Sequence, residues 1–384
     1  MASRQDLAAH PYAAHSKCDN LTQAALFIAA SLLPSAIPVN IKSVAKEAKV
    51  SKATVSRVIN NDPCVRPETA RKVWKAIQHL NYYPNIYART LGSGRSRILG
   101  LIISDISNPF FPEIVKSFEE RALKNGYEVL LTDTNHDPTR MAGCAQRMLE
   151  RRVEGVAILT SEMDAGLMDQ MARRGIPIVF LDLGTVQARI SNISVDYYQG
   201  IQEATEHLFH LGHRRIGFIS GPLELRSVRT RKSAFLKCLE KCGIIYDEQL
   251  MREGNYRIDG GQTAMSSLLH LQDPPTTVMT SNDLTAIGAM RAIYCEGLRV
   301  PEDISVVGFD DIDLSQYTQP PLTTVRLCRS ELGETAFSAL AQILSGQSDH
   351  GREYRVETHL TVRESTGPVP AAARRPRSVT LPGK

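Results

Sequence analysis

Val44-Ala-Lys-Glu-Ala-Lys-Val-Ser-Lys-Ala-Thr-Val-Ser-Arg-Val-Ile-Asn60 decides the reading of the first hundred residues. Val44, Ala45 and Ala48 recur at helical spacing and the pattern breaks at Lys49-Val50. Ser51 is a good N-cap, and the residues after it predict a second short helix whose Val55, Val58 and Ile59 face inward. Two short helices around a tight turn predict a helix-turn-helix, whose second helix enters the major groove of DNA. Ser51, Lys52, Ala53, Thr54, Ser56, Arg57 and Asn60 fall at its start or on its outward side and suit phosphates or base edges. Downstream, Pro84-Asn-Ile-Tyr-Ala-Arg-Thr-Leu91 predicts a short amphipathic hinge ending at the linker Gly92-Ser-Gly94. A segment this short is marginal as an isolated helix. The expectation is that it orders when two copies meet on DNA, with Asn85 and Ala88 at the duplex and Leu91 wedged into the minor groove.

Charge divides along the chain. The net charge of the whole is only +4. From residue 40 to 97 there are 12 basic and 3 acidic residues, a net +9; from 98 to 369 there are 27 and 36, a net −9. A basic head on an acidic body is the electrostatic footprint of nucleic-acid binding confined to one end.

Length and composition set the frame. With 384 residues, 42% hydrophobic and 22% charged, the chain suits two or three globular domains. The seven cysteines are scattered, as expected in a reducing cytoplasmic compartment. Residues 1–39 read as an extension of unassigned role, disordered or the product of a misassigned start. The apolar run within residues 21–37 is too short and too weakly flanked for a signal peptide, and no membrane span is expected. Residues 368–384, rich in Pro, Ala and Arg, read as a disordered tail.

Between these ends, apolar runs alternate with helical patterns. Ile98–Ile103, Glu128–Leu131, Gly155–Leu159 and Pro177–Leu181 predict one set of buried parallel strands. Arg215–Ile219, Thr277–Met279 and Ile304–Val307 predict a second. The fold class expected is α/β, a helix-turn-helix headpiece (40–84) and hinge (85–97) followed by two doubly wound subdomains over 98–367. Leu322–Val325 is expected to cross back to the first lobe and Thr358–Val362 to the second, so that 98–196 joins 325–351 and 197–324 joins 352–367. Ligands in such sheets bind beyond the carboxyl ends of the strands, here between the lobes.

The head and hinge patterns, with Val65-Arg-Pro-Glu-Thr69 and Leu80-Asn-Tyr-Tyr-Pro-Asn85, resemble the LacI/GalR family of bacterial repressors. The resemblance runs from about residue 40 to 364. It includes Ser107-Asn-Pro-Phe-Phe111, Arg152-Val-Glu-Gly155, Leu211-Gly-His-Arg-Arg-Ile-Gly-Phe218, Ser281-Asn-Asp283, Gly308-Phe-Asp-Asp-Ile312 and Pro321-Leu-Thr-Thr324. It implies a body of the periplasmic sugar-binding type and a homodimer, with a tetramer left open. The implied partners are near-palindromic double-stranded operator DNA and a small effector, a sugar in the first reading and a nucleobase or nucleoside in the second. It also places Phe110, Phe111, Asp182, Arg231, Tyr256, Asn282 and Asp310 at strand ends where the family contacts its ligand. Carboxylate, amide and guanidinium groups suit vicinal hydroxyls, and aromatic planes cover the apolar faces of a sugar ring.

Three competing readings carry less weight. Glu203, Glu206, His207, His210 and His213 mimic metal-ligand spacing, but histidines near a helix C-terminus are favourable without metal. Cys238 and Cys242 lie four apart with no second pair, so no metal is expected. An enzyme would need a nucleophile, an acid–base pair or a cofactor motif; no P-loop, Gly-x-Gly-x-x-Gly or nucleophile elbow occurs, so neither catalytic residues nor a cofactor are expected. A solute-binding protein would share the body but not the head. Lys49 stands in the turn where the family often has glycine, and Arg66 where a small N-cap is common.

Overall fold

The structure is a computed structural model that describes residues 39–60, 62–83, 95–160, 165–182 and 186–370. The chain divides into two compact units, residues 1–94 and 95–384. The hinge residues Asn85, Ala88 and Leu91, most of the N-terminal extension and most of the tail lie outside the described residues.

The first unit holds three helices, α1 (Ile41–Glu47), α2 (Lys52–Ile59) and α3 (Pro67–His79). Asn40 caps α1 by accepting from the amides of Lys42 and Ser43, and Ser51 caps α2 by accepting from Thr54 N–H at 3.1 Å. Val44, Val55, Val58, Val73 and Ile77 form the interior. The turn between α1 and α2 is left-handed at Lys49 (φ 55°), a mild strain for a residue other than glycine. Arg66 precedes α3 with no side-chain cap, and Pro67 begins the helix without needing an amide donor.

The second unit is two six-stranded sheets with helices on their faces. Its elements in chain order are β1 (Ile98–Ile103), α4 (Phe110–Lys124), β2 (Glu128–Asp133), α5 (Pro138–Glu150), β3 (Gly155–Leu159), α6 (Ala165–Arg173), β4 (Ile178–Leu181) and β5 (Ile190–Val195). Then come α7 (Tyr197–His210), β6 (Ile216–Ser220), α8 (Arg226–Lys241), β7 (Met251–Glu253), α9 (Ile258–Leu269), β8 (Thr277–Thr280) and α10 (Asp283–Cys295). The last are β9 (Ser305–Asp310), β10 (Thr323–Leu327), α11 (Arg329–Leu344), β11 (Glu353–Val356) and β12 (Thr358–Thr361). The sheet orders are β11-β5-β4-β3-β1-β2 and β12-β10-β9-β8-β6-β7. All pairings are parallel except β10 with β12.

The lobe crossings correct the expectation from sequence. Residues 323–327 do not return to the first sheet: β10 pairs with β9 and β12 in the second. The strand that returns is β11, which pairs with β5, so 353–356 belongs to the first lobe rather than the second. The chain therefore changes lobe at three points: between β5 and α7, between β10 and α11, and at Glu357 between β11 and β12. Short mixed runs such as Thr323–Leu327 are equally at home in either sheet, and the choice is made by packing, with Val325 seated opposite Phe309.

Two details set the cleft geometry. Asp283, at the start of α10, accepts from Ile312 N–H (2.8 Å), Ser315 Oγ (2.7 Å) and Thr324 Oγ1 (2.6 Å), which anchors the loop after β9. Gly308 makes room for it, since a Cβ there would come within 2.1 Å of an Asp283 carboxylate oxygen. Arg329, buried at the start of α11, ties the lobes together. It donates to Glu113 of α4 (2.6 Å) and, across the boundary, to the Asp311 carbonyl (2.5 Å) and Asp313 (3.0 Å). Replacing Arg329 by Met should lower the midpoint of urea unfolding by the equivalent of about 1–3 kcal/mol. An unchanged midpoint would show that this tie carries no stability.

Candidate nucleic-acid interface and interlobe cleft

Helix α2 presents Ser51, Lys52, Ala53, Ser56, Arg57 and Asn60 to solvent, with Thr54 half-buried. The Ser51 and Thr54 hydroxyls lie 2.9 Å apart and satisfy each other in part. Arg57 is 66% exposed, and its Nε is 3.9 Å from Asp62, too far for a hydrogen bond. It can turn to a base edge or phosphate at little cost.

In the second unit, the structure brings all seven cleft residues named from sequence to one cavity of about 680 Å³, lined by both lobes. Phe110 and Phe111 open α4 and meet edge to face at 5.1 Å. Asp182 follows β4 in a left-handed conformation (φ 59°), accepting from Val195 N–H at 2.9 Å and from the Tyr197 hydroxyl. Burial pushes the Asp182 carboxyl up, against the pull of those two donors. Tyr256 (φ 62°) lays its ring over Gly221, where a Cβ would come within 2.5 Å of the ring. A side chain at Gly221 would therefore displace the Tyr256 ring.

Asn282 is largely committed to the scaffold. Its carbonyl oxygen accepts from Thr285 N–H (3.0 Å) to cap α10, and its amide donates to the Tyr256 carbonyl (3.0 Å). It therefore holds Tyr256 in place, with one amide hydrogen remaining.

The charged centre is Arg231 on α8, 6% exposed. Its guanidinium lies 4.3 Å from the ring centre of Phe309, 4.8 Å from that of Tyr197 and 5.9 Å from that of Tyr256. It donates to the Ser281 carbonyl, while its Nε is buried without a hydrogen-bond partner. Burial works against its charge, but Tyr256, Tyr197 and Asp310 outweigh that and hold it firmly protonated. Asp310 ends β9 at φ 109°, with its carboxylate 3.9 Å from Arg231, close enough to attract and too far to bond. Burial pushes the Asp310 carboxyl up to about 8, an effect that Arg231 offsets only in part. Nearby Asp283 is raised by burial to about 6. At the cleft rim, Arg257 of the second lobe reaches Asp105 of the first at 3.4 Å.

Some cleft residues escaped sequence reading. Tyr197 follows β5, a strand hidden by its buried Ser191 and Asn192. The Ser104–Thr160 hydroxyl pair (2.9 Å) and His136 also line the wall. His136 follows the carboxyl end of β2, where the strand-end rule points. Of the histidines that mimicked metal spacing, His207 meets Thr366, and His213 meets Thr276 and the Gly367 carbonyl. Among the described residues no group of His, Cys, Asp and Glu could hold a metal ion, and no helix is long and apolar enough to cross a membrane.

A helix-turn-helix head followed by a two-lobed body with a charged, aromatic-walled cleft defines a DNA-binding regulator controlled by a small ligand. Residues 40–85 match the bacterial regulatory proteins of the lacI family, and residues 205–366 match the periplasmic binding protein-like domain. The HTH-type transcriptional repressor CytR of Escherichia coli (strain K12) is 34% identical over 86% of this chain and 97% of its own. The HTH-type transcriptional repressor PurR of Photobacterium profundum is 32% identical over 85% and 98%. Among solved structures, the Lac repressor dimer bound to operator and the anti-inducer ONPF has a TM-score of 0.76 at 32% identity, covering 86% of this chain and 99% of its own. The complex of transcriptional regulator CelR with cellobiose has a TM-score of 0.65 at 30% identity, covering 85% and 99%. The chain belongs to the LacI family of transcriptional repressors.

The raised Asp310 carboxyl predicts a pH dependence. Between its ordinary value of 3.8 and about 8, the folded protein holds a proton that the unfolded chain releases. That contribution is fully present below about pH 4 and is lost as pH rises toward 8, at up to about 1 kcal/mol per pH unit. Asp310→Asn removes this slope. Its melting temperature should gain on wild type as pH rises from 5 to 8, whereas a constant difference would refute the protonated state.

Proposed function

We propose that the protein is a homodimeric cytoplasmic repressor that reads a near-palindromic operator with α2 and is switched by a polyhydroxylated effector, a sugar, held between the lobes. It works by binding rather than by catalysis. The observation that carries the effector class is Arg231, a buried guanidinium whose Nε lacks a partner, beside an Asp310 carboxyl it does not quite reach. A pair of neighbouring hydroxyls fitted between them would accept from the first and donate to the second. The ring faces of Tyr256 and Phe110 suit the apolar side of a sugar.

A nucleobase or nucleoside is the second reading. The first-lobe wall sets apolar Phe110, Leu159 and Leu181 beside the Ser104–Thr160 pair, Asn108 and His136, a combination that suits a flat heterocycle with polar edges. A thermal-shift screen of neutral sugars, nucleobases and nucleosides separates the two, because a ligand that binds only the folded state raises its melting temperature.

Asp310→Ala should still retain operator DNA but lose its response to whichever compound the screen finds. Wild-type ligand affinity by calorimetry in that variant would remove Asp310 from the site. Arg57→Ala should weaken operator binding by about 1–3 kcal/mol with effector affinity unchanged, as expected for a bidentate guanine contact. Selection of unaltered binding sequences by the variant would reassign base reading to another side chain.

A further inference from the structure

Helix α8 has a second working face. Ser227 and Arg231 line the effector cleft, whereas Arg226, Arg229, Ser233 and Lys237, spaced three or four residues apart, border a separate concavity of about 960 Å³. Its opposite wall is formed by the start of α7, including Tyr198. Arg229 is braced by donating from Nη1 to the carbonyls of Leu223 (3.0 Å) and Glu224 (2.6 Å), and it has no carboxylate partner among the described residues. Lys237, exposed, has no ion pair among the described residues. The carboxylate in the lining, Asp196, is already engaged by Arg355 and by the amide of Gln199.

Arg229 and Lys237 thus face a carboxylate that is already neutralised. These charges act on a small anion within the screening length of about 8–10 Å. A phosphate monoester matches the donors: a guanidinium fork for two oxygens, a lysine point charge and the Ser233 hydroxyl.

We infer that this concavity is a second ligand site, distinct from the effector cleft, for a small phosphorylated metabolite of the sugar-phosphate type. Tyr197 borders both cavities and bonds Asp182 in the cleft, so the two sites share a wall.

The test is calorimetric titration of the full-length protein with ribose 5-phosphate, ribose and inorganic phosphate at fixed ionic strength. Ribose 5-phosphate should bind once per chain, and Arg231→Gln, which removes the cation of the cleft, should leave that binding within about threefold. Arg229→Gln with Lys237→Gln should weaken it at least about tenfold, while Arg229→Lys with Lys237→Arg keeps it. Lys237→Gln alone, at an exposed unpaired position, carries the test if the double variant fails to fold. No measurable binding, equal binding by the Gln variants, or loss of binding in an Arg231→Gln protein that still unfolds cooperatively would each overturn the site, the last by moving the compound to the effector cleft. Asp310→Ala tests the effector reading separately.

Discussion

The body of this protein is organised around a buried positive charge. Taking a guanidinium out of water is costly unless other groups replace the lost solvation. Around Arg231 that replacement comes from several elements: the ring faces of Tyr197, Tyr256 and Phe309, the Ser281 carbonyl and the Asp310 carboxyl. Each must be delivered by its own backbone. Asn282 holds Tyr256, Gly221 clears space for its ring, and Asp283 anchors the loop that follows Asp310. The arrangement is incomplete at one atom, Nε, and at one distance, 3.9 Å. Those are the two points that the proposed effector would satisfy.

The same logic explains how the lobes are joined. Arg329 bonds across the boundary close to the crossing strands, and Arg257 reaches Asp105 at the cleft rim. The Tyr197 hydroxyl, from the second lobe, bonds to Asp182 of the first. All three contacts are polar, and they stand beside one apolar cluster that draws on both lobes, among its members Leu101, Ile193, Phe309 and Val325. Helix α8 then stands at a crossroads, with one face turned to the cleft and the other to a cationic concavity.

The head was largely legible in the chain itself. The N-cap Ser51, the inward Val55 and Val58, and the outward Lys52, Ala53 and Arg57 take the positions that helical periodicity assigns them. Local interactions decide such a short unit, because a cap and an apolar stripe act within one or two turns. The strands of the body were legible where they are fully apolar, as in Ile98–Ile103 and Gly155–Leu159. β5 was not, because Ser191 and Asn192 are buried and satisfied by residues some 160 positions away, a pattern no local window contains. The cleft residues were named from the family resemblance, and Asp182, Asn282 and Asp310 among them stand at or just after strand ends.

Sequence by itself determined the headpiece helices and the fully apolar strands, since these depend on caps, turns and periodicity over a few neighbours. Only the tertiary structure decided which sheet receives Thr323–Leu327 and which receives Glu353–Val356, because both are short runs that either sheet could pair. It alone spent the Asn282 amide on its neighbours, left Arg231 short of one partner and raised the Asp310 carboxyl. Those properties belong to burial and to distances between residues far apart in the chain, and they exist only once the two lobes are folded.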